Sequence, residues 1–292
     1  MNKAKVLRDL MKEPGAIVAP GVYNAYTARL VEQAGFQAVY MTGSGTTLDV
    51  FGGPDKGLLT MTEMVSQAKN INLAVSLPVI ADADTGYGNA LNVIRTVREY
   101  ERAGIAAIHI EDQVTPKRCG HFEGKELVSK DEMVGKIKAA LDARENPESI
   151  IIIGRTDARS VLGFDETVRR AQAYSEAGAE AILVEGLESL EEYKICLESV
   201  KAPLMTGINE GTRMPYITTR ELERLGFKII VFATSLQRAA MKAVQEVLQV
   251  IKETGITKDY LGRIVTREER DEISGRAQYE EWEMKYLSSY MK

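Results

Sequence analysis

The sequence predicts a single (β/α)8 barrel, and three observations carry that prediction. Eight short apolar runs recur through the first 235 residues of the 292-residue chain. Each is brief, rich in β-branched residues and bounded by Gly, Pro, Asp or Glu, as buried strands are. Amphipathic stretches fill the gaps between them, so strand and helix alternate throughout. A doubly wound open sheet is the rival architecture. The count of eight and the lack of a Gly-rich dinucleotide turn favour the barrel.

In chain order, run 16–22 leads to a helix predicted at 26–34, which stops at Gly35 before run 38–41. That run ends in Thr42-Gly43-Ser44-Gly45. A helix at 62–73 precedes run 78–81, and one at 90–103 stops at Gly104 before run 107–110. Helix 130–144 leads to run 150–154, and helix 166–177 stops at Gly178 before run 181–184. Helix 190–200 precedes run 203–208, and helix 219–225 precedes run 229–232. Gly35, Gly104 and Gly178 stand where a left-handed C-cap is needed. A long helix is predicted from about Arg238 to Glu253. A second charged helical segment at 266–290 holds Tyr279, Trp282, Tyr286 and Tyr290. It needs something to pack on, either a neighbouring subunit or its own barrel. The domain reading is a catalytic barrel at 1–240 with a helical extension of the same domain at 241–292.

Composition bounds the function. Apolar residues make up 45% and charged residues 27%, with a net charge of −5 and no basic tail. That gives no reason to expect nucleic acid. No run approaches a membrane span, and the first residues lack the apolar stretch of a signal peptide. Two cysteines far apart make no disulfide scaffold, so a cytoplasmic, reduced protein is expected.

The most chemical segment is Lys117-Arg118-Cys119-Gly120-His121, which puts one of two cysteines and one of two histidines behind two fixed cations. Positive neighbours lower a thiol pKa, so Cys119 with His121 is read as a catalytic pair. The segment lies in a long loop at 114–129, the kind that often forms a lid. The bland alternative is a surface loop with a chance cysteine. Cys196, on an amphipathic helix, reads as structural packing, and His109 as a core histidine.

In such barrels the site collects at the C-terminal strand ends. There stand Thr42-Gly43-Ser44, Asp82-Ala83-Asp84, Glu111-Asp112, Arg155-Thr156-Asp157, Glu185 and Asn209-Glu210, with Arg238 following the last strand. Asp82 and Asp84, two apart on a strand, should face one way and with Glu111 suit Mg2+, or else serve as caps and rim salt bridges. The Gly43 region could bring N–H groups to an anion, although a tight turn explains it as well. Arg155 can fork a carboxylate, or pair with Asp157.

Taken together, Ala19-Pro20-Gly21-Val22-Tyr23-Asn24, Asp82-Ala83-Asp84-Thr85-Gly86-Tyr87-Gly88, Ile110-Glu111-Asp112-Gln113, 117–121 and Gly154-Arg155-Thr156-Asp157-Ala158 resemble the isocitrate lyase/phosphoenolpyruvate mutase superfamily. The likeness runs over nearly the whole chain, nearest the branch of 2-methylisocitrate and 2,3-dimethylmalate lyases. It implies a Mg2+-dependent barrel, with Mn2+ as a possible substitute, and a homotetramer that exchanges C-terminal helices. It assigns metal ligation to Asp82, Asp84 and, through water, Glu111, with Asp55 nearby. Substrate contacts fall on Thr42, Gly43, Ser44, Gly120, Arg155, Glu185, Asn209, Arg238 and Arg267. Tyr40 is the candidate base and Cys119 the proton donor. The cysteine run is specific to lyases over mutases. Methylisocitrate lyases tend to carry Asn-x-Thr-Glu-Phe-Gly after the seventh strand, where this chain has Gly207 and Gly211 at the Asn and Phe positions. That favours a smaller 2-hydroxydicarboxylate, with 2,3-dimethylmalate giving pyruvate and propionate. A methylisocitrate lyase, an oxaloacetate-cleaving enzyme, a phosphonate-forming mutase and a non-catalytic dicarboxylate-binding barrel are the alternatives.

Overall fold

The computed structural model describes residues 2–120, 123–212 and 214–287. Two compact units divide the chain, Met1–Leu236 and Gln237–Lys292.

The first unit is the predicted barrel. Its strands are β1 (Ile17–Val22), β2 (Val39–Met41), β3 (Val79–Asp82), β4 (Ala107–Glu111), β5 (Ile151–Thr156), β6 (Ala181–Val184), β7 (Leu204–Gly207) and β8 (Ile229–Phe232). All pair in parallel and in sequence order, and β8 closes on β1 through Ile17 to Pro20. The helices are α1 (Lys3–Lys12), α2 (Ala25–Gln33), α3 (Gly43–Phe51), α4 (Met61–Ala74), α5 (Ala90–Arg102), α6 (Lys130–Ala143), α7 (Phe164–Glu176), α8 (Leu190–Ser199) and α9 (Thr219–Leu225). Gly35, Gly104 and Gly178 have φ of 82°, 78° and 103°, the left-handed caps expected of them.

Alternation along the strands makes two cores. Inward side chains such as Ile80, Ile151, Ile153, Met205 and Ile229 fill the barrel, joined by Ala4 and Leu7 of α1. Outward side chains such as Val79, Ile108, Ile152 and Ile182 pack under the helices with Met64, Val97, Ile137 and Tyr174. Each fully buried aliphatic side chain contributes about 1.5–3 kcal/mol of transfer free energy. The register sets Asp82 beside His109 and Glu111 beside Arg155, so four chemical side chains lie on adjoining strands.

Two helices escape the sequence reading. α1 buries only Ala4 and Leu7, so its apolar signal is thin. α3 starts inside Thr42-Gly43-Ser44-Gly45, with Thr42 as N-cap accepting from the Gly45 N–H, so the segment is a helix start and not a plain turn.

The second unit holds most of α10 (Ser235–Thr254), then α11 (Arg267–Ser274) and α12 (Arg276–Leu287). The single helix expected at 266–290 is broken at Gly275, whose φ of 74° ends α11. Tyr290 lies outside the described residues. Among those described, no helix is long and apolar enough to cross a membrane.

Candidate active site

The carboxyl end of the barrel encloses a cavity of about 140 Å3. Tyr40, Thr42, Ser44, Asp55, Asp82, Cys119, Gly120, Arg155, Glu185 and Asn209 line it, together with Gly207 and the apolar Leu183, Val231 and Ala233. A wider cleft of about 710 Å3 shares Gly120 and Thr212 with it. The smaller space is the chemical one, since Asp55, Asp82, Glu185, the thiol and the guanidinium line it.

Asp55, Asp82, Asp84 and Glu111 sit together around Lys117. Asp82 ends β3, and its Oδ1 accepts from the Asp84 N–H at 2.9 Å. Asp84 lies past the strand at φ 47°, so strand alternation does not place it; a left-handed turn does. Aspartate tolerates that region better than most residues, though still with strain. Gly43 allows the approach from β2, because a Cβ there would lie 2.4 Å from Asp82 Oδ2. Glu111 is fully buried, and its Oε1 accepts no hydrogen bond. Burial, opposed by Arg155 and Lys117, pushes the Glu111 carboxyl well above its ordinary range. Burial likewise raises Asp84 to about 6 against the pull of Lys117. Both shifts come first from burial, which disfavours the charged carboxylate.

That is the setting a hard divalent cation fits: buried carboxylate oxygens, one with no donor, and an excess of negative charge. Among the described residues no group of three or more His, Cys, Asp or Glu side chains is placed to hold a metal ion by itself. Magnesium takes few carboxylates and keeps several waters.

Lys117 departs from the sequence reading. Its ammonium pairs with acids, 2.6 Å from Asp55 Oδ1 and 2.9 Å from Asp84 Oδ1. Arg118 is exposed, its Nη1 3.4 Å from the Glu123 carbonyl. His121 lies outside the described residues. Cys119 is half-buried, and its N–H donates to the Asp55 carbonyl at 3.1 Å, tying the loop to the acid cluster. Gly120 must be glycine, since a Cβ would meet Arg155 Nη2 at 2.8 Å and Glu185 Cγ at 2.9 Å. The Lys125 ammonium donates to its carbonyl.

Arg155 forks Asp157, with Nε to Oδ2 and Nη2 to Oδ1 both at 3.0 Å. Its Nε is also 3.2 Å from Glu111 Oε2. The pairing with Asp157 weighed in the sequence is thus realised, and a substrate carboxylate would meet the other guanidinium edge. Tyr40 OH lies 2.9 Å from His109 Nε2. Burial raises the Tyr40 phenol, with the Asp82 charge adding to it, and burial lowers His109 to about 4. His109 is therefore neutral and only partly satisfied, since its Nδ1 has no hydrogen bond and stands 3.7 Å from Asp82 Oδ1. Sequence reasoning passed over Lys117, His109 and Asp157 as site residues. The phase shared by His109 and Glu111 on β4 was the available signal for one of them. Arg238 and Arg267 belong to α10 and α11.

Residues 7–252 match the family model described as phosphoenolpyruvate phosphomutase. The chain is 47% identical to a 2,3-dimethylmalate lyase of Eubacterium barkeri, over 99% of both chains. The chain belongs to the phosphoenolpyruvate mutase/isocitrate lyase superfamily. It is also 48% identical to a 2-methylisocitrate lyase of Aeropyrum pernix, over 94% of this chain and 88% of that one. Among solved structures, a 2,3-dimethylmalate lyase in a trigonal crystal form superposes with a TM-score of 0.92 at 38% identity, covering 98% of this chain and 95% of that one. The resemblance read from the sequence and the barrel expected from its runs therefore both hold.

Proposed function

We infer that this protein is a Mg2+-dependent carbon–carbon lyase that cleaves a 2-hydroxydicarboxylate, with 2,3-dimethylmalate giving pyruvate and propionate. The observation that carries the reading is one small cavity where a thiol, a guanidinium and the carboxylates Asp55, Asp82 and Glu185 converge. Full-length likeness to a 2,3-dimethylmalate lyase supports the substrate. Gly207 and Gly211, where larger side chains were expected for a methylisocitrate lyase, support it too.

Asp82 and Asp84 would hold the metal, with Glu111 acting through water and Asp55 close by. A bound Mg2+ supplies positive charge for the oxygens that become anionic as the carbon–carbon bond breaks. Arg155, held by Asp157, orients one substrate carboxylate through its remaining edge and steadies the enolate. Tyr40 hydrogen-bonds the substrate hydroxyl. The hydroxyl proton passes to Tyr40 as the phenol hands its own to neutral His109 Nε2, 2.9 Å away, which leaves Tyr40 the base role read from the sequence. Cys119, carried by the loop over the cavity, gives its proton to the carbanion of the departing propionate. Gly120 lets the loop lie against Arg155, and Thr42, Ser44, Glu185 and Asn209 complete the wall.

The runner-up is 2-methylisocitrate cleavage to pyruvate and succinate, which the 48% relative favours. The test is pyruvate release with Mg2+ or Mn2+ from 2,3-dimethylmalate, 2-methylisocitrate and oxaloacetate. Preference for the first is expected, and preference for methylisocitrate would transfer the assignment. Cys119→Ser should retain metal binding and lose about 10²–10⁴-fold in turnover; near-normal turnover would end the proton-donor role.

A homotetramer is proposed as well. On α10, Met241, Val244, Leu248 and Ile251 form an exposed apolar stripe, and Tyr279 and Trp282 are exposed on α12. A neighbouring copy of the chain would cover them, and sedimentation of the purified protein decides it. No disulfide joins Cys119 and Cys196, which suits the reducing cytoplasm.

A further inference from the structure

The Lys117 side chain is 4% exposed, although it comes from a loop and not from a barrel strand. The backbone around it is held at several points. The Arg118 N–H donates to Gln113 Oε1 at 2.9 Å, and Gln113 Nε2 donates to the Arg118 carbonyl at 2.8 Å. The Cys119 N–H donates to the Asp55 carbonyl at 3.1 Å. Gly57, at φ 64°, leaves room for the Lys117 backbone nitrogen, which a Cβ would approach to 3.0 Å. The ammonium is thereby delivered between Asp55 and Asp84. At 2.6 and 2.9 Å its charge pairs with both carboxylates.

Both belong to the four carboxylates the chain offers a divalent cation. Two positive groups cannot share one set of buried oxygens without repelling each other, and repulsion at a few ångströms in a poorly screened site is large. A lysine also cannot supply a lone pair while it is charged, so it competes with a metal and never ligates it.

We propose that Lys117 is a built-in counter-ion of the carboxylate cluster and sets the protein's affinity for its divalent metal by competing for Asp55 and Asp84. The lysine then has two consequences. It neutralises part of the acid cluster whenever the metal is away, which limits the cost of burying like charges together. It also weakens metal binding to the free protein, and a dianionic substrate, which adds negative charge to the cavity, would tighten it again.

The proposal rests on the reading that a divalent cation binds at this cluster, and the experiment separates the two. Mn2+ binding to the full chain, without substrate, is measured by electron paramagnetic resonance for wild type, Lys117→Met and Lys117→Arg. Lys117→Met removes the charge and keeps the length, so its Mn2+ dissociation constant should fall about tenfold or more. Lys117→Arg keeps the charge and should stay near wild type. The melting temperature of Lys117→Met should fall in chelator and rise more with Mg2+ than the wild type's does. Unchanged or weaker Mn2+ binding in a folded Lys117→Met protein overturns the proposal alone. No Mn2+ binding by wild type overturns the metal reading itself. If Lys117→Met does not fold, Lys117→Gln takes its place under the same criteria.

Discussion

Glu111 and Asp112 are consecutive, both acidic and both fully buried, yet they live in opposite circumstances. Glu111 points into the barrel, where one oxygen has no hydrogen bond and the other only faces Arg155 at 3.2 Å. Asp112 turns under the helices and accepts from Thr156 Oγ1 at 2.8 Å, the Asp157 N–H at 2.9 Å, Arg170 Nη1 at 3.0 Å and Tyr174 OH at 2.8 Å. A buried carboxylate with a full set of donors is part of the frame. One with unused oxygens is kept for something that arrives, since leaving such a group unmet costs stability. The pair separates scaffold from site one residue apart.

The largest effect expected from breaking the comparison is on the scaffold side. Asp112→Ala takes the shared acceptor from Arg170 Nη1, Thr156 Oγ1, Tyr174 OH and the Asp157 N–H, and should cost about 3–5 kcal/mol in urea unfolding, with no recovery on adding Mg2+. Glu111→Gln should do the reverse. It removes a poorly neutralised charge, so the melting temperature should hold or rise, while turnover falls about 10²–10³-fold. If Glu111→Gln unfolds the protein and Asp112→Ala is benign, the two roles have been assigned the wrong way round.

A smaller effect is set by pH. Burial raises the Asp84 carboxyl to about 6 from its ordinary value of 3.8. Between those values the folded chain holds a proton that the unfolded chain has released. Stability from this group therefore falls as pH rises through that window, and the deficit is complete above about pH 6. Mg2+ needs the ionised carboxylate, so its stabilising effect should be small at pH 5 and larger at pH 7.5, about 2.7 kcal/mol at a hundred times its dissociation constant. Melting curves with and without Mg2+ at the two pH values check this. An equal Mg2+ effect at both would mean that Asp84 is not under-neutralised.

The frame was more legible in the sequence than the site. Strands such as 181–184 and 229–232 are read to the residue because a buried strand is a short β-branched run, whatever the surrounding fold. Thr42-Gly43-Ser44-Gly45 misled because glycine spacing describes a turn as well as the first turn of α3. The acids were found as strand-end residues, but the φ of 47° that aims Asp84 has no mark in its neighbours. Lys117 was placed with the thiol because sequence puts them two apart. Which side of a loop a side chain enters depends on anchors such as Gln113 and Gly57, and those are distant in type and register from any motif. Helices α10 to α12 were readable as helices, whereas their partners are not written in the chain.

The smallest effect compares the two cysteines, and it extends the contrast between Glu111 and Asp112 to thiols. Cys119 is half-buried in the cavity wall, whereas Cys196 is fully buried on α8, where burial raises its thiol to about 12. The thiolate is the form that alkylates, so reactivity requires both access and ionisation. At pH 8 Cys196 has neither. Iodoacetamide should therefore modify one thiol per native chain, at Cys119, and two in denaturant, with stability little changed before unfolding. A dicarboxylate such as oxalate, bound in the cavity with Mg2+, should slow the first reaction and leave the second alone. Mass spectrometry of the peptides gives both rates. Labelling of Cys196 at the rate of Cys119 in folded protein would mean that the α8 packing opens as readily as the site, and the division between a closed frame and an accessible rim would fail there.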